Sequence, residues 1–247
     1  MELRIGHLYA DLMSIYGDRG NVLCLAQRAR WRGIACTVTP LGLGDALLPE
    51  AHDLLFMGGG QDREQRLVAE DFQTAKGQPL REAAEAGVAI LAICGGYQLM
   101  GHYYRDADGT ELPGVGLFDA YTIPGQGPRL IGNVVVQSSV PGLEDRTLVG
   151  FENHGGRTHL QGDTRPLGRV VVGGGNNGQD GFEGAVCRNA FGTYLHGSCL
   201  PKNPWLADLL IRRALERRYG PVDLAPLDDT LEEEAHRAAV NRARETR

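Results

Sequence analysis

The sequence predicts an α/β fold with a mixed, largely parallel central sheet flanked by helices, on three observations. Strand-like and helix-like stretches alternate through the first half, the pattern of a sheet whose crossovers are helices. Residues 88–93 form an unbroken apolar run, as a strand buried on both faces requires. The 35 glycines are about twice the usual share and follow no three-residue period. Nearly half of these 35 fall within residues 58–60, 94–101, 150–156, 173–184 and 192–197, next to stretches that read as strands.

Taken in order, residues 2–8 read as the first strand. Residues 21–31 carry Val22, Leu25, Ala26 and Ala29 at helical spacing, and Gly33 closes that helix. Residues 34–38 and 53–57 are short strands, the second ending at Gly58, Gly59 and Gly60. Residues 61–76 and 80–86 are polar-rich helices that lead to the strand at 88–93. The second half changes to short strands at 131–137, 147–151, 169–172, 184–187 and 192–195, separated by Gly, Pro and Asn turns. With no linker between the halves, these strands are expected to extend the same sheet in an antiparallel or mixed sense. Residues 205–219 form an amphipathic helix, with Leu206, Leu209, Leu210 and Leu215 inward. From Asp228 onward, Glu232, Glu233 and Glu234 followed by Arg237, Arg242 and Arg244 read as a solvated helical tail.

Composition removes several function classes. A net charge of −6 supplies no basic field for nucleic acid or anionic lipid. The longest apolar run is far shorter than the roughly 18 residues of a membrane span. The N-terminus shows no signal-peptide pattern, so a cytoplasmic protein is expected. Cysteines 24, 36, 94, 187 and 199 are odd in number and form no CxxC, which argues against a disulfide framework and against a metal site.

The chemistry concentrates at Cys94. A buried strand runs through Ile93 into Cys94, Gly95 and Gly96 and then into a helix marked by Leu99 and Met100. A cysteine at such an elbow stands beside a helix N-terminus, whose partial positive charge favours the thiolate. The amide after it can face a developing oxyanion. The competing reading is a small buried residue packed at a strand end. Cys24, Cys36 and Cys187 fit core packing, and Cys199 is drawn into question only by its nearness to His196. A cysteine nucleophile needs a base. His196, at a strand end just before Gly197, is the first candidate, and His154 in a similar setting is the second. His7, His52, His102, His159 and His236 read as surface or packing residues.

Ala92, Ile93, Cys94, Gly95, Gly96, Tyr97 and Gln98, with Tyr194, Leu195, His196 and Gly197 further on, resemble the class I glutamine amidotransferases of the CobB/CobQ type. Within that branch, residues 8–21, 57–62, 150–156 and the loop at 173–184 are similar to the GatD glutaminase subunits, and the likeness spans residues 3–212. The resemblance implies a flavodoxin-like amidotransferase domain at 3–212, with 213–247 as a charged helical extension. It implies Cys94 as nucleophile, His196 as base and acid, and an oxyanion hole from Gly59, Gly60 and Gly95. Arg129 would bind the carboxylate of free glutamine, a bidentate task suited to a guanidinium. Glu152, His154 and Gln98 are further candidates. No metal or cofactor is expected in this chain.

Two departures stand out. Ala92 replaces the glycine that many class I members carry two residues before the nucleophile. Ser198 stands where many carry an acid two residues after the histidine. What orients His196 is thereby left open among Glu152, another internal group, a backbone carbonyl and a residue of a partner chain. The glycines at 173–178 have no following lysine and form no P-loop. ATP is therefore expected to be handled elsewhere, and the resemblance implies a MurT-like Mur ligase subunit, joined to this chain as a heterodimer, that holds ATP and Mg²⁺ and amidates the D-glutamate of lipid II. The alternatives are a glutaminase of the same type serving a corrinoid carboxylate, and a non-catalytic partner-binding module of the same fold.

Overall fold

The computed structural model describes residues 1–196 and 198–246, with Tyr16 described by its backbone alone; Gly197 of the His196 motif and Arg247 of the tail lie outside the described residues. The chain begins with strand β1 (Glu2–Leu8), helix α1 (Arg19–Trp31) and strand β2 (Ala35–Leu41). Helix α1 stops where expected, at Gly33 with φ +69°. Strand β3 (Leu54–Met57) is followed by α2 (Asp62–Asp71), a π-helical turn at Phe72–Lys76, and α3 (Gly77–Glu85). Strand β4 (Ala89–Ile93) then leads into the short helix α4 (Gly95–Leu99). Every residue of β3 and β4 is buried, as their apolar composition demands.

The remaining strands are β5 (Tyr103–Arg105), β6 (Glu111–Pro113), β7 (Ala120–Pro124), β8 (Leu130–Ser138), β9 (Thr147–His154), β10 (Gly156–Leu160), β11 (Gly168–Val172), β12 (Phe182–Glu183), β13 (Ala185–Cys187) and β14 (Ala190–Thr193). Helices α5 (Pro204–Tyr219) and α6 (Thr230–Glu245) follow. The central sheet has six strands in the order β13-β14-β4-β3-β1-β2, all parallel except β13. This is the mixed, largely parallel sheet that the sequence predicts. The second half departs from expectation: only β13 and β14 join that sheet. The other strands form two four-stranded sheets, β10-β7-β5-β6 and β12-β11-β8-β9. Alternation of apolar and polar residues fixes which face of a strand is buried, but it does not choose the strand's neighbour.

The charged C-terminal stretch is also more than a solvated tail. Residue 212, expected to end the domain, lies inside the continuous helix α5. Helix α6 lays Ala239, Val240 and Ala243 against Val135, Val149 and Val172. His236 anchors it, its Nδ1–H donating to Lys202 O at 2.8 Å while Nε2 accepts from the Thr147 hydroxyl at 2.8 Å. That is the pattern of a neutral ring, which burial favours by pulling the pKa down. Asp229, just before α6, pairs with the buried Arg28 at 2.6 Å. The apolar contacts of α6 come largely from alanines, which give little hydrophobic signal among glutamates and arginines. No helix among the described residues is long and apolar enough to cross a membrane.

A buried polar cluster fixes the segment after β1. Tyr9, at φ +51°, donates its hydroxyl to Asp71 Oδ2 at 2.7 Å. Lys76 Nζ donates to the same oxygen at 2.7 Å, and Gly44 N–H to Asp71 Oδ1 at 2.8 Å. Removing one member of such a buried pair leaves an uncompensated charge. The cluster therefore holds in place the turn that continues to Asp18.

Candidate active site

Cys94 sits where β4 turns into α4, with φ +51° and ψ −107°. A non-glycine residue in this region is strained by about 1–3 kcal/mol and persists only where its surroundings enforce it. Cys94 N–H donates to Thr193 O at 2.8 Å, which ties the elbow to the neighbouring strand. The helix lies close enough to β3 that only glycine fits at its start. A Cβ on Gly96 would meet Gly58 O at 2.7 Å, and one on Gly95 would meet Gly60 N at 3.0 Å. The thiol is nearly buried, 7% exposed, and opens on a cavity of about 520 Å³.

His196 follows β14, the strand parallel to β4, so Cys94 and His196 stand at the carboxyl ends of adjacent strands. Its backbone is clamped to β9 by His196 N–H to Phe151 O at 2.9 Å and Phe151 N–H to His196 O at 3.3 Å. The side chain faces Cys94 on one side. On the other, Nδ1–H donates to Asp18 Oδ1 at 3.4 Å. Burial alone would push the imidazole pKa down, but the Cys94 thiolate and the Asp18 carboxylate outweigh it and raise the value to about 10. Asp18 is fully buried, and its Oδ2 accepts the Gly59 N–H at 2.7 Å. A Cβ on Gly59 would meet His196 Cε1 at 3.0 Å and Cys94 Cβ at 3.3 Å, so the glycine is wedged between these two side chains.

This constellation is matched by kinship. The CobB/CobQ-like glutamine amidotransferase domain matches residues 4–204. The chain is 42% identical over 242 residues to "Lipid II isoglutaminyl synthase (glutamine-hydrolyzing) subunit GatD" of Staphylococcus aureus, covering 98% of this chain and 96% of that one. The subunit of the same name from Streptococcus pneumoniae is 41% identical over 234 residues, covering 94% and 88%. The chain belongs to the CobB/CobQ-like glutamine amidotransferases, in the GatD family. Its fold is also that of a solved glutamine amidotransferase from Thermotoga maritima, with TM-score 0.55, 16% identity, and 98% and 97% of the two chains covered.

The other predicted positions of this GatD-family amidotransferase divide into those at the cavity and those behind it. Arg129 lines the cavity with Cys94, Gln98 and His154. Its guanidinium docks on Asn153, with Nη2 donating to Asn153 O at 2.9 Å and Nε to Oδ1 at 3.2 Å. Gln98 is buried in a relay, its Oε1 accepting from Gln65 at 2.9 Å and its Nε2 donating to the Tyr194 hydroxyl at 3.2 Å. His154 stacks flat on Tyr194 at 3.6 Å and donates from Nδ1 to Gly156 O at 2.8 Å. Its Nε2 faces Glu152 at 3.8 Å and not Cys94. Glu152 accepts the Gly174 and Gly175 amides at 2.7 and 2.9 Å, so it pins the glycine-rich loop and does not orient His196. Gly59, expected in the oxyanion hole, has its N–H committed to Asp18; Gly60 N lies 3.0 Å from where a Cβ on Gly95 would stand, and Gly60 lines the cavity with Cys94. Cys199 is buried and Cys24 packs partly buried against the core, and each thiol is pushed up to about 12 by burial.

Asp18 is the functional residue the sequence reading misses. An aspartate directly before a helix reads as an N-cap. Here it occupies the N-cap position of α1 without making the capping bond, because its carboxylate is turned to Gly59 and His196. Ser198, standing where other class I members carry the acid, donates to Gly17 O at 2.7 Å and so braces the residue preceding Asp18. Asp62 was also unexpected; it lines the cavity and accepts from the Tyr104 hydroxyl at 3.0 Å.

Proposed function

We propose that this chain is the glutaminase subunit of a lipid II isoglutaminyl synthase. The Cys94 thiolate attacks the side-chain carboxamide carbon of L-glutamine, and the amides of Gly60 and Gly95 hold the oxyanion. Each such donor contributes about 3 kcal/mol to transition-state stabilisation. The His196 imidazolium protonates the departing nitrogen, which leaves as ammonia and generates a γ-glutamyl thioester on Cys94. Neutral His196 then takes a proton from water, the hydroxide oxygen bonds to the acyl carbon, and the thiolate leaves as glutamate is released. Asp18 keeps the imidazole aligned through both steps. The observation that carries this reading is the buried Cys94–His196–Asp18 array, whose Cys94 lines the cavity shared with Arg129.

In this reading, Arg129 binds the α-carboxylate and Asp62 supplies a countercharge for the α-ammonium at the same cavity. Ammonia passes to a MurT-like, ATP- and Mg²⁺-dependent Mur ligase subunit that amidates the D-glutamate of lipid II to D-isoglutamine. The names of the 42% and 41% identical relatives support that acceptor. A cytoplasmic location, with the partner presenting the lipid-linked substrate, belongs to the same reading. It is tested by glutamate release from glutamine and by amidated lipid II formed with the ligase subunit and ATP. Amidation of a corrinoid carboxylate in place of lipid II would reassign the acceptor. Arg129→Ala is expected to raise KM for glutamine about tenfold or more, with a smaller effect on kcat, because a charge-assisted bidentate contact is lost. An unchanged KM would remove Arg129 from the site.

A further inference from the structure

Arg157, on β10, is buried behind the cavity wall that carries Arg129. Its Nη2 donates to Pro128 O at 2.8 Å, the carbonyl directly before Arg129. Its Nη1 donates to Gly155 O at 2.9 Å and Gly156 O at 3.2 Å, with His154 O at 3.4 Å. The two sets of carbonyls belong to two adjoining segments that both line the cavity, one with Gly125, Gly127 and Arg129 and the other with His154, Gly155 and Gly156.

The Arg129 segment is shaped to receive this guanidinium. A Cβ on Gly125 would meet Arg157 Cζ at 2.5 Å and Nε at 2.7 Å, so the backbone there lies flat on the planar group. Gly125 N–H also donates to Gly155 O at 3.0 Å, an acceptor it shares with Arg157. Among the described residues every hydrogen-bond partner of this guanidinium is a backbone carbonyl. A planar fork with several fixed donors can tie two backbone segments at once in a set geometry, which the ammonium of a lysine does not reproduce. On the outer side, Arg157 lines a second cavity of about 460 Å³, so it stands as the partition behind the Arg129 wall.

We propose that Arg157 is a positioning residue for substrate recognition: by stapling Pro128 to Gly155 and Gly156, it sets where Arg129 meets the carboxylate of glutamine. The inference rests on the reading of Arg129 given above.

The test is steady-state glutamine hydrolysis by the full chain with its ligase subunit. It compares wild type with Arg157→Met, Arg157→Lys, Arg129→Ala and the Arg129→Ala/Arg157→Met double variant. Arg157→Met is expected to raise KM about tenfold while kcat changes about twofold or less, and Arg157→Lys to recover only part of the loss. In the Arg129→Ala background, Arg157→Met is expected to raise KM no further, because both changes remove one function. Gly125→Ala, which presses on the guanidinium from the other side, should reproduce the KM rise if Arg157→Met folds poorly. Iodoacetamide titration of Cys94 gives the active fraction. Independent, multiplying effects of Arg129→Ala and Arg157→Met on KM, or a kcat loss at unchanged KM, would overturn the proposal. An unchanged KM in Arg129→Ala itself would instead overturn the reading on which it rests, and would take this inference with it.

Discussion

Cys94→Ala is expected to lower glutamate release by about 10⁴-fold or more, the scale at which loss of a nucleophile leaves only binding and oxyanion stabilisation. Alanine fits the buried elbow without new contacts and keeps the Cys94 N–H bond to Thr193, so the variant should fold like the wild type. The decisive arm adds ammonium. With the ligase subunit, ATP and lipid II, the variant should form no amidated product from glutamine and normal product from ammonium salts. Glutamate release at the wild-type rate would eliminate Cys94 as nucleophile. Failure of ammonium to restore synthesis would break the proposed division of labour between the two subunits.

Asp18→Asn should lower kcat for hydrolysis by about 10² to 10⁴, with the upper end set by known losses when the carboxylate behind a catalytic histidine becomes an amide. An asparagine oxygen can still accept the Gly59 N–H, so the loop is retained while the charge facing His196 is lost. The pKa of His196, raised to about 10, should fall toward its ordinary value of 6.5. The alkaline limb of the pH-rate profile should move down with it. The sign for stability follows from the same shift. A histidine whose folded pKa is raised contributes stability that is complete below 6.5 and is lost as pH rises through about 10. Thermal melts between those values should therefore depend more steeply on pH in the wild type than in Asp18→Asn. A profile and kcat unchanged by the substitution would mean that Asp18 does not act on His196.

Much of this arrangement was legible in the sequence because it is local. The strand at β4, the elbow at Cys94 and the stop at Gly33 each announce themselves within a few residues, and the motif around His196 is compact. What could not be read depends on pairing across long distances. Asp18 meets His196 from the other end of the chain, and nothing within residues 16–21 separates its role from that of a helix cap. The staple at Arg157 is likewise invisible, since its partners are backbone carbonyls that carry no residue identity. The splitting of the second half into two further sheets has the same origin, and the docking of α6 rests on alanines whose small apolar surface does not register against their charged neighbours.

The mounting of the two reacting groups has one more consequence. Ile93 and Thr193 are register partners in adjacent parallel strands, Cys94 immediately follows the first, and Cys94 N–H bonds back to Thr193 O. Cys94 is thus held by the central ladder, whereas His196, three residues beyond β14, is carried by its bridge to Phe151 of β9 in a second sheet. The pair hangs from two sheets at once, and loosening of the β9 bridge is expected to cost activity on warming while β4 and β14 stay zipped.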